Sequence, residues 1–156
     1  MHELNISAKI QICSYNELNL EEKNLTDQAK ESVTRSYAPY SGFLVGAAIR
    51  LANGEIITGN NQENIAYPSG LCAERTALFY ANSRFPDQAV DTIAVAAFTN
   101  GDFTEEPVPP CGSCRQVILE AQNRYKRPIK LLLCGRTTVY KVASIIDLLP
   151  LSFSHF

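Results

Sequence analysis

Val45-Gly46-Ala47-Ala48-Ile49-Arg50-Leu51-Ala52-Asn53-Gly54-Glu55-Ile56-Ile57-Thr58-Gly59 is the stretch that decides the fold. Two apolar runs, Val45 to Leu51 and Ile56 to Gly59, flank Ala52-Asn53-Gly54. An Asn-Gly pair between apolar runs is the strongest short-range signal for a β-hairpin, so one antiparallel strand pair is fixed here. Upstream, from about Glu21 to Ser36, Leu25, Ala29 and Val33 recur every four residues and predict a helix with one buried stripe. It must stop before Tyr37-Ala38-Pro39-Tyr40, because a proline disfavours helix in the residue ahead of it. Downstream, Ala73, Ala77, Leu78 and Ala81 predict a helix over 72–82. A buried strand follows from Thr92 to Phe98, a polar loop from Thr99 to Pro110, a helix from Cys111 to about Tyr125 and a short strand from Ile129 to Cys134. Tyr140 and Val142 point to one more strand, and Ile145 to Leu149 to a helical turn ended by Pro150. Ile6, Ala8, Ile10 and Ile12 alternate like a strand. Helices alternating with buried strands predict an α/β chain, a three-layer α/β/α sandwich around a mixed sheet of about five strands.

The chain has 156 residues, 46% hydrophobic and 19% charged, which suits one domain spanning 1–156 with a substantial core. No stretch approaches the roughly 20 apolar residues of a membrane helix. Met1-His2-Glu3-Leu4-Asn5-Ile6 lacks the positive-then-apolar pattern of a secretion signal, so a cytoplasmic protein without a membrane partner is expected. The net charge is −2, and Lys and Arg are scattered apart from pairs such as Lys126-Arg127. That argues against a nucleic acid polymer, whose binding takes a basic stripe. Five cysteines, an odd number, in a reducing compartment point to a metal site or a reactive thiol instead of disulfides.

Cys111-Gly112-Ser113-Cys114 follows Pro109-Pro110 and opens a helix, while Cys72 opens the preceding one. Cysteines three apart at a helix start lie on one face and can reach one ion. The partial positive charge of a helix N-terminus favours the thiolate that binds metal. Cys72, Cys111 and Cys114 are therefore the candidate ligands of one Zn2+ per chain. Structural zinc is closed by four protein ligands, whereas catalytic zinc keeps a position for water. Cys13 and Cys134 read as buried packing residues, and His2 and His155, near the chain ends, are not placed as a fourth ligand. A redox CxxC and a purely structural zinc site remain open alternatives on residues alone. Glu74, taken alone, reads as a solvated acid in the first turn of a helix. Positions two apart do not share a helix face, so Glu74 reaches the Cys72 ion only if Cys72 sits at the cap, before the backbone turns helical.

Cys72-Ala73-Glu74-Arg75-Thr76-Ala77 followed by Pro110-Cys111-Gly112-Ser113-Cys114-Arg115-Gln116 resembles the signature of the small homotetrameric zinc-dependent cytidine deaminases, within the wider signature of zinc deaminases. The likeness extends through Tyr37-Ala38-Pro39-Tyr40-Ser41-Gly42-Phe43, Val45-Gly46-Ala47-Ala48, Glu63-Asn64-Ile65-Ala66-Tyr67 and Leu148-Leu149-Pro150, about residues 35 to 153. Against that family, residues 1–20 are an addition of unknown role and the 99–110 loop is longer than common, with Glu105 and Glu106 expected near the site entrance. The resemblance implies hydrolytic deamination of free cytidine and deoxycytidine in pyrimidine salvage. Zinc would supply the hydroxide, and Glu74 would pass the water proton to the ring nitrogen and later deliver a proton to the departing ammonia. Arg75 would hydrogen-bond the ligand sulfurs. Asn61 and Glu63 would hold the ribose, Phe43 would stack on the pyrimidine and the Ala73 backbone would contact the base. Tyr67 and Phe153 would complete a neighbouring subunit's site in a homotetramer. Relatives acting on polynucleotides or deoxycytidylate carry histidine at the Cys72 position, so cysteine there implies the free-nucleoside branch. The rivals are a deaminase of another cytosine-containing nucleoside or nucleotide, and a non-catalytic zinc-stabilised binding module.

Overall fold

β2 (Leu44–Leu51) and β3 (Ile56–Asn60) form the expected hairpin, paired from Gly46–Asn60 to Arg50–Ile56. The Leu51 amide donates to the Glu55 carbonyl and the Gly54 amide to the Leu51 carbonyl, so the loop is three residues, Ala52 to Gly54. Gly54 takes φ +88°, a left-handed conformation that glycine adopts without the steric cost a Cβ would bring. The computed structural model describes residues 1–154, and His155 lies outside the described residues.

Around the hairpin the sheet grows to the order β1-β7-β6-β4-β2-β3, with the short β5 on β4. The other strands are β1 (Ile10–Ser14), β4 (Val90–Thr99), β5 (Asp102–Phe103), β6 (Lys130–Cys134) and β7 (Thr138–Val142). The sheet is mixed, since β4 and β6 run parallel and the other neighbours antiparallel. It has seven strands rather than about five. The strand with no counterpart in the sequence reading is β5, a two-residue pairing inside the 99–110 loop, while β1 joins the outer edge of β7. That edge strand is shorter than the alternation from Ile6 predicts. Ile10 and Ile12 remain 42% and 69% exposed because no helix covers the sheet there.

Helix α1 (Leu20–Ser32) lies on one face, with Leu25 and Ala29 against Ala48, Ala94, Ala96 and Leu132. Asn19 caps it by accepting from the Glu22 amide, and Glu22 bonds back to the Asn19 amide. A single 3-10 turn, Val33–Arg35, continues it to the expected stop. Helices α2 (Ala73–Arg84) and α3 (Gly112–Tyr125) cover the opposite face, where Ala73, Ala77, Leu78, Ala81, Ile118 and Leu119 bury against Ile49, Ile93, Val95, Leu131 and Leu133. The three layers are those expected. Ile145–Leu148 is a 3-10 turn, not an α-helix.

Gly59 sets the depth of α2. A Cβ there would stand 2.6 Å from the Ala77 nitrogen and 2.7 Å from the Ala73 carbonyl oxygen, so the first turns of α2 rest directly on β3. Cys134 is buried as expected, but Cys13 is half-buried, because β1 is the edge strand and only α1 lies over its inner face. No helix among the described residues is long and apolar enough to cross a membrane.

Candidate metal centre and adjoining cleft

Cys72 is the N-cap of α2, with ψ 154°, and Cys111 is the N-cap of α3, with ψ 166°. Both backbones are extended at those points, and the helices start one residue later. The extended cap lets Cys72 and Glu74 approach one point although an ideal helix wheel would separate them. Two helix N-termini meet here, and Cys114 enters from the first turn of α3. The three sulfurs lie within 4.8 Å of one another, the one such cluster of potential ligands among the described residues. Cys72 Sγ and Cys111 Sγ are 3.9 Å apart.

The electrostatics fit a cation. Three thiols this close cannot all ionise without a positive charge among them. The Cys114 hydrogen bond foremost, with Arg75 and Cys111, brings the Cys72 thiol down to about 5 against the opposing effect of burial. The same hydrogen bond, with burial, pushes Cys114 up. A divalent ion would resolve that conflict, and thiolate sulfur is a donor that zinc accepts. Arg75 reaches in with Nη2 3.5 Å from Cys72 Sγ, while its buried Nε has no partner.

Glu74 is 5% exposed, so it is not the solvated first-turn acid that its position alone suggests. Burial pushes its carboxyl above the ordinary carboxylate range, in spite of its own backbone amide, and the Cys72 charge adds to the rise. Cys114 stands within hydrogen-bonding reach of it. A carboxyl whose pKa is raised by burial beside a metal position can both take and return a proton. Ala73, at the first position of α2, is fully buried.

A cleft of about 530 Å³ opens onto this centre, its lining including Cys72, Arg75, Tyr40, Ser41, Asn61 and Glu63. Tyr67 lines it as well, 74% exposed and edge-on to Tyr40 with ring centroids 5.9 Å apart. Phe43 is half-buried and does not line the cleft; its main chain is bonded to Ser41 and Asn61 instead. Phe153 lies 69% exposed, its carbonyl accepting from Gln116 Nε2 at 2.8 Å. Glu105 and Glu106 do not line the cleft. Glu105 pairs with Arg136, and Glu106 accepts from the Tyr140 hydroxyl at 2.7 Å, so the 99–110 loop is tied to the β6–β7 end of the sheet. Two residues with no role from sequence enter here. Ser41 bonds Glu63, and Arg115 donates to the carbonyls of Pro110 (2.8 Å) and Leu148 (2.6 Å), tying the last 3-10 turn to the start of α3. Ser41 stands two residues before Phe43 in a Pro-Tyr-Ser-Gly turn, the kind of place where a serine hydroxyl bonds nearby main chain. Nothing local marks Arg115.

A family model described as the cytidine and deoxycytidylate deaminase zinc-binding region matches residues 20–127. A cytidine deaminase of Halalkalibacterium halodurans is 43% identical over 101 residues, 65% of this chain and 72% of its own. One from Sporosarcina psychrophila is 45% identical over 101 residues, covering 65% and 70%. The crystal structure of a cytidine deaminase from Burkholderia pseudomallei matches with a TM-score of 0.69 at 38% identity, over 83% of this chain and 97% of that one. A cytidine deaminase structure from Mycobacterium tuberculosis matches with a TM-score of 0.69 at 29% identity, over 88% and 100%. The matched region holds all three clustered sulfurs and the buried carboxyl beside them, and on that footing the chain belongs to the cytidine and deoxycytidylate deaminase family.

Proposed function

We propose that the chain is a zinc hydrolase that converts cytidine and deoxycytidine to uridine and deoxyuridine with release of ammonia. The observation that carries this is the buried Glu74 beside three convergent sulfurs at the side of an open cleft. A non-catalytic zinc scaffold gives no reason to bury a carboxyl against its own ionisation. Cys72, Cys111 and Cys114 would hold the ion, which when bound supplies Lewis-acid activation of water at neutral pH. Glu74 accepts the water proton, passes it to the ring nitrogen and delivers a proton to the amino group as it leaves. One carboxyl serves as base and acid because it handles the two water protons in turn, the first staying on the ring nitrogen of the product and the second leaving with the ammonia. Arg75 offsets the surplus negative charge of three thiolates through its hydrogen bond to Cys72. Asn61 and Glu63 hold the sugar and the Ala73 main chain contacts the base, while Phe43, which does not line the cleft of the free protein, stacks on the base once bound substrate brings its ring forward.

The family includes deoxycytidylate enzymes, and two features favour the nucleoside. Cysteine stands at position 72, and the Glu63 carboxylate on the cleft wall would repel a phosphate. Cytidine, deoxycytidine and their monophosphates assayed side by side test this, and a dominant rate on the monophosphates would overturn it. A spectroscopic deamination assay of the parent against Glu74→Gln, with zinc measured in both, tests the mechanism. The variant is expected to keep zinc and lose about 10²- to 10⁴-fold in turnover. Equal rates would end the assignment.

The wider expectations belong to this proposal: one domain, a homotetramer with shared sites, and a cytoplasmic place in pyrimidine salvage. Exposed Tyr67 and Phe153 side chains, which a second copy would cover, support the assembly. A monomeric mass by light scattering at working concentration would refute it. Five free cysteines, three of them needed as thiolates, support a reducing compartment. Fractionation that finds the protein outside the cytoplasm would refute that placement.

A further inference from the structure

Three residues that line the cleft, Ser41, Asn61 and Glu63, belong to one connected hydrogen-bonded unit. Glu63 is half-buried, and its Oε2 accepts the amides of Tyr40 at 2.9 Å and Ser41 at 3.3 Å. Its Oε1 accepts the Ser41 hydroxyl. The same Ser41 oxygen accepts the amide of Phe43 at 3.0 Å. The carbonyl of Phe43 accepts Asn61 Nδ2 at 2.9 Å, and Asn61 Oδ1 accepts the Val45 amide at 2.8 Å. Asn61 and Glu63, which stand on the cleft wall, thus hold the main chain of Phe43 from both sides. Asn61 does so directly. Glu63 does so only through the hydroxyl of Ser41.

We infer that Ser41 is a positioning residue, coupling sugar recognition at Glu63 to the placement of Phe43 over the base. The inference rests on the proposed roles of Glu63 and Phe43. A carboxylate offers about four acceptor sites, and three are taken by the 40–41 turn. One is left for a sugar hydroxyl, on the oxygen that Ser41 also uses. The Ser41 hydroxyl foremost, with the two amides, holds Glu63 below the usual carboxylate range, so it stands as an ionised acceptor. A sugar hydroxyl donating to that oxygen draws on the bond that orders Ser41, and Ser41 passes the change to the Phe43 amide. The sugar thereby tightens the segment that carries the ring, and a nucleoside is distinguished from a bare base by ring placement as well as by direct contact.

A double-mutant cycle tests this. Ser41 is exposed and Ser41→Ala removes one hydroxyl, leaving the Phe43 amide to water, so the fold is expected to persist; thermal unfolding of each variant checks that. With cytidine as substrate, Ser41→Ala is expected to lower kcat/KM about tenfold and Glu63→Ala about a hundredfold, and adding Ser41→Ala to Glu63→Ala less than about twofold further. Ser41→Thr, which keeps the hydroxyl, is expected to stay within about threefold of the parent. A purely structural role gives the same factor for Ser41→Ala in both backgrounds, and that result would overturn the coupling. So would an unaffected Ser41→Ala, or a Ser41→Thr as poor as the alanine variant. Failure of the underlying reading shows separately, as a Glu63→Ala with parent kinetics and parent affinity for uridine.

Discussion

Replacing Gly59 with alanine puts a methyl group where α2 already lies. An ideal Cβ stands 2.6 Å from the Ala77 nitrogen, 2.7 Å from the Ala73 carbonyl oxygen and 2.9 Å from the Ala77 Cβ. Two of those atoms are helix main chain, so no side-chain rotamer can move aside. Either α2 lifts from β3 or the strand bends. Overpacking of a dense core costs about 1–3 kcal/mol, and contacts this short place the cost in the upper half of that range. At about 2–4 °C per kcal/mol for a domain of this size, the Tm should fall by roughly 4–12 °C. The damage should also reach the metal centre. Cys72 caps α2, Glu74 sits in its first turn and Ala73 is one of the two residues struck, whereas Cys111 and Cys114 belong to α3. Lifting α2 therefore moves one sulfur and the carboxyl relative to the other two sulfurs. Gly54→Ala is the control: it adds the same methyl in open space, where only the φ of +88° is strained. It should cost about 1 kcal/mol and leave zinc affinity and kcat as in the parent. The assay pairs thermal unfolding, at fixed protein concentration and saturating zinc, with chelator competition for the metal. A Gly59→Ala protein melting within 2 °C of the parent, on the order of one kcal/mol or less, would refute the packing account. One that melts low yet holds zinc and turns over normally would refute the link between packing and the centre.

Arg75→Gln should retain zinc but slow turnover by at least about tenfold, since it loses the charge beside Cys72 while a polar side chain remains; unchanged turnover with full zinc removes Arg75 from the mechanism. Glu22→Gln should show its effect through pH. Glu22 is 2% exposed and meets Lys141 at 2.8 Å and Lys130 at 3.5 Å. Burial raises its pKa, but Lys141, the Asn19 amide and Lys130 more than offset that, so the folded value lies below the unfolded one. The stability it contributes is then present above about pH 4.3, the unfolded value, and is lost as pH falls through the lower folded value. Urea midpoints of parent and variant should be well separated at neutral pH and converge in acid; a gap that stays constant to low pH would refute the assignment.

The elements were legible because their signals are local. A four-residue apolar period fixed the stripe of α1 at Leu25, Ala29 and Val33, all buried, and the hairpin followed from Asn53-Gly54 between two apolar runs. Local pattern also misled. The alternation from Ile6 to Ile12 reads as a half-buried strand, but burial depends on what covers the sheet, and at the β7 edge nothing covers Ile12. Cys13 reads as a core residue on local pattern alone and is only half-buried, because β1 is the edge strand of the sheet. Glu105 and Glu106 were expected at the site, but their direction depends on Arg136 and Tyr140, some thirty residues away in sequence.

By itself the sequence determined where the helices begin, which residues of their apolar stripes face inward and which three sulfurs were available, because periodicity, turn chemistry and helix capping act within a few residues. It also carried the motif order that points to the family. Only the tertiary structure decided that the caps of α2 and α3 meet, bringing Cys72 and Cys111 to 3.9 Å across 39 residues of chain. It alone decided that Glu74 is buried, and that Ser41 stands between Glu63 and Phe43. Those facts depend on how two helices seat on one sheet, through contacts such as Gly59 against Ala77, and no spacing along the chain encodes that distance.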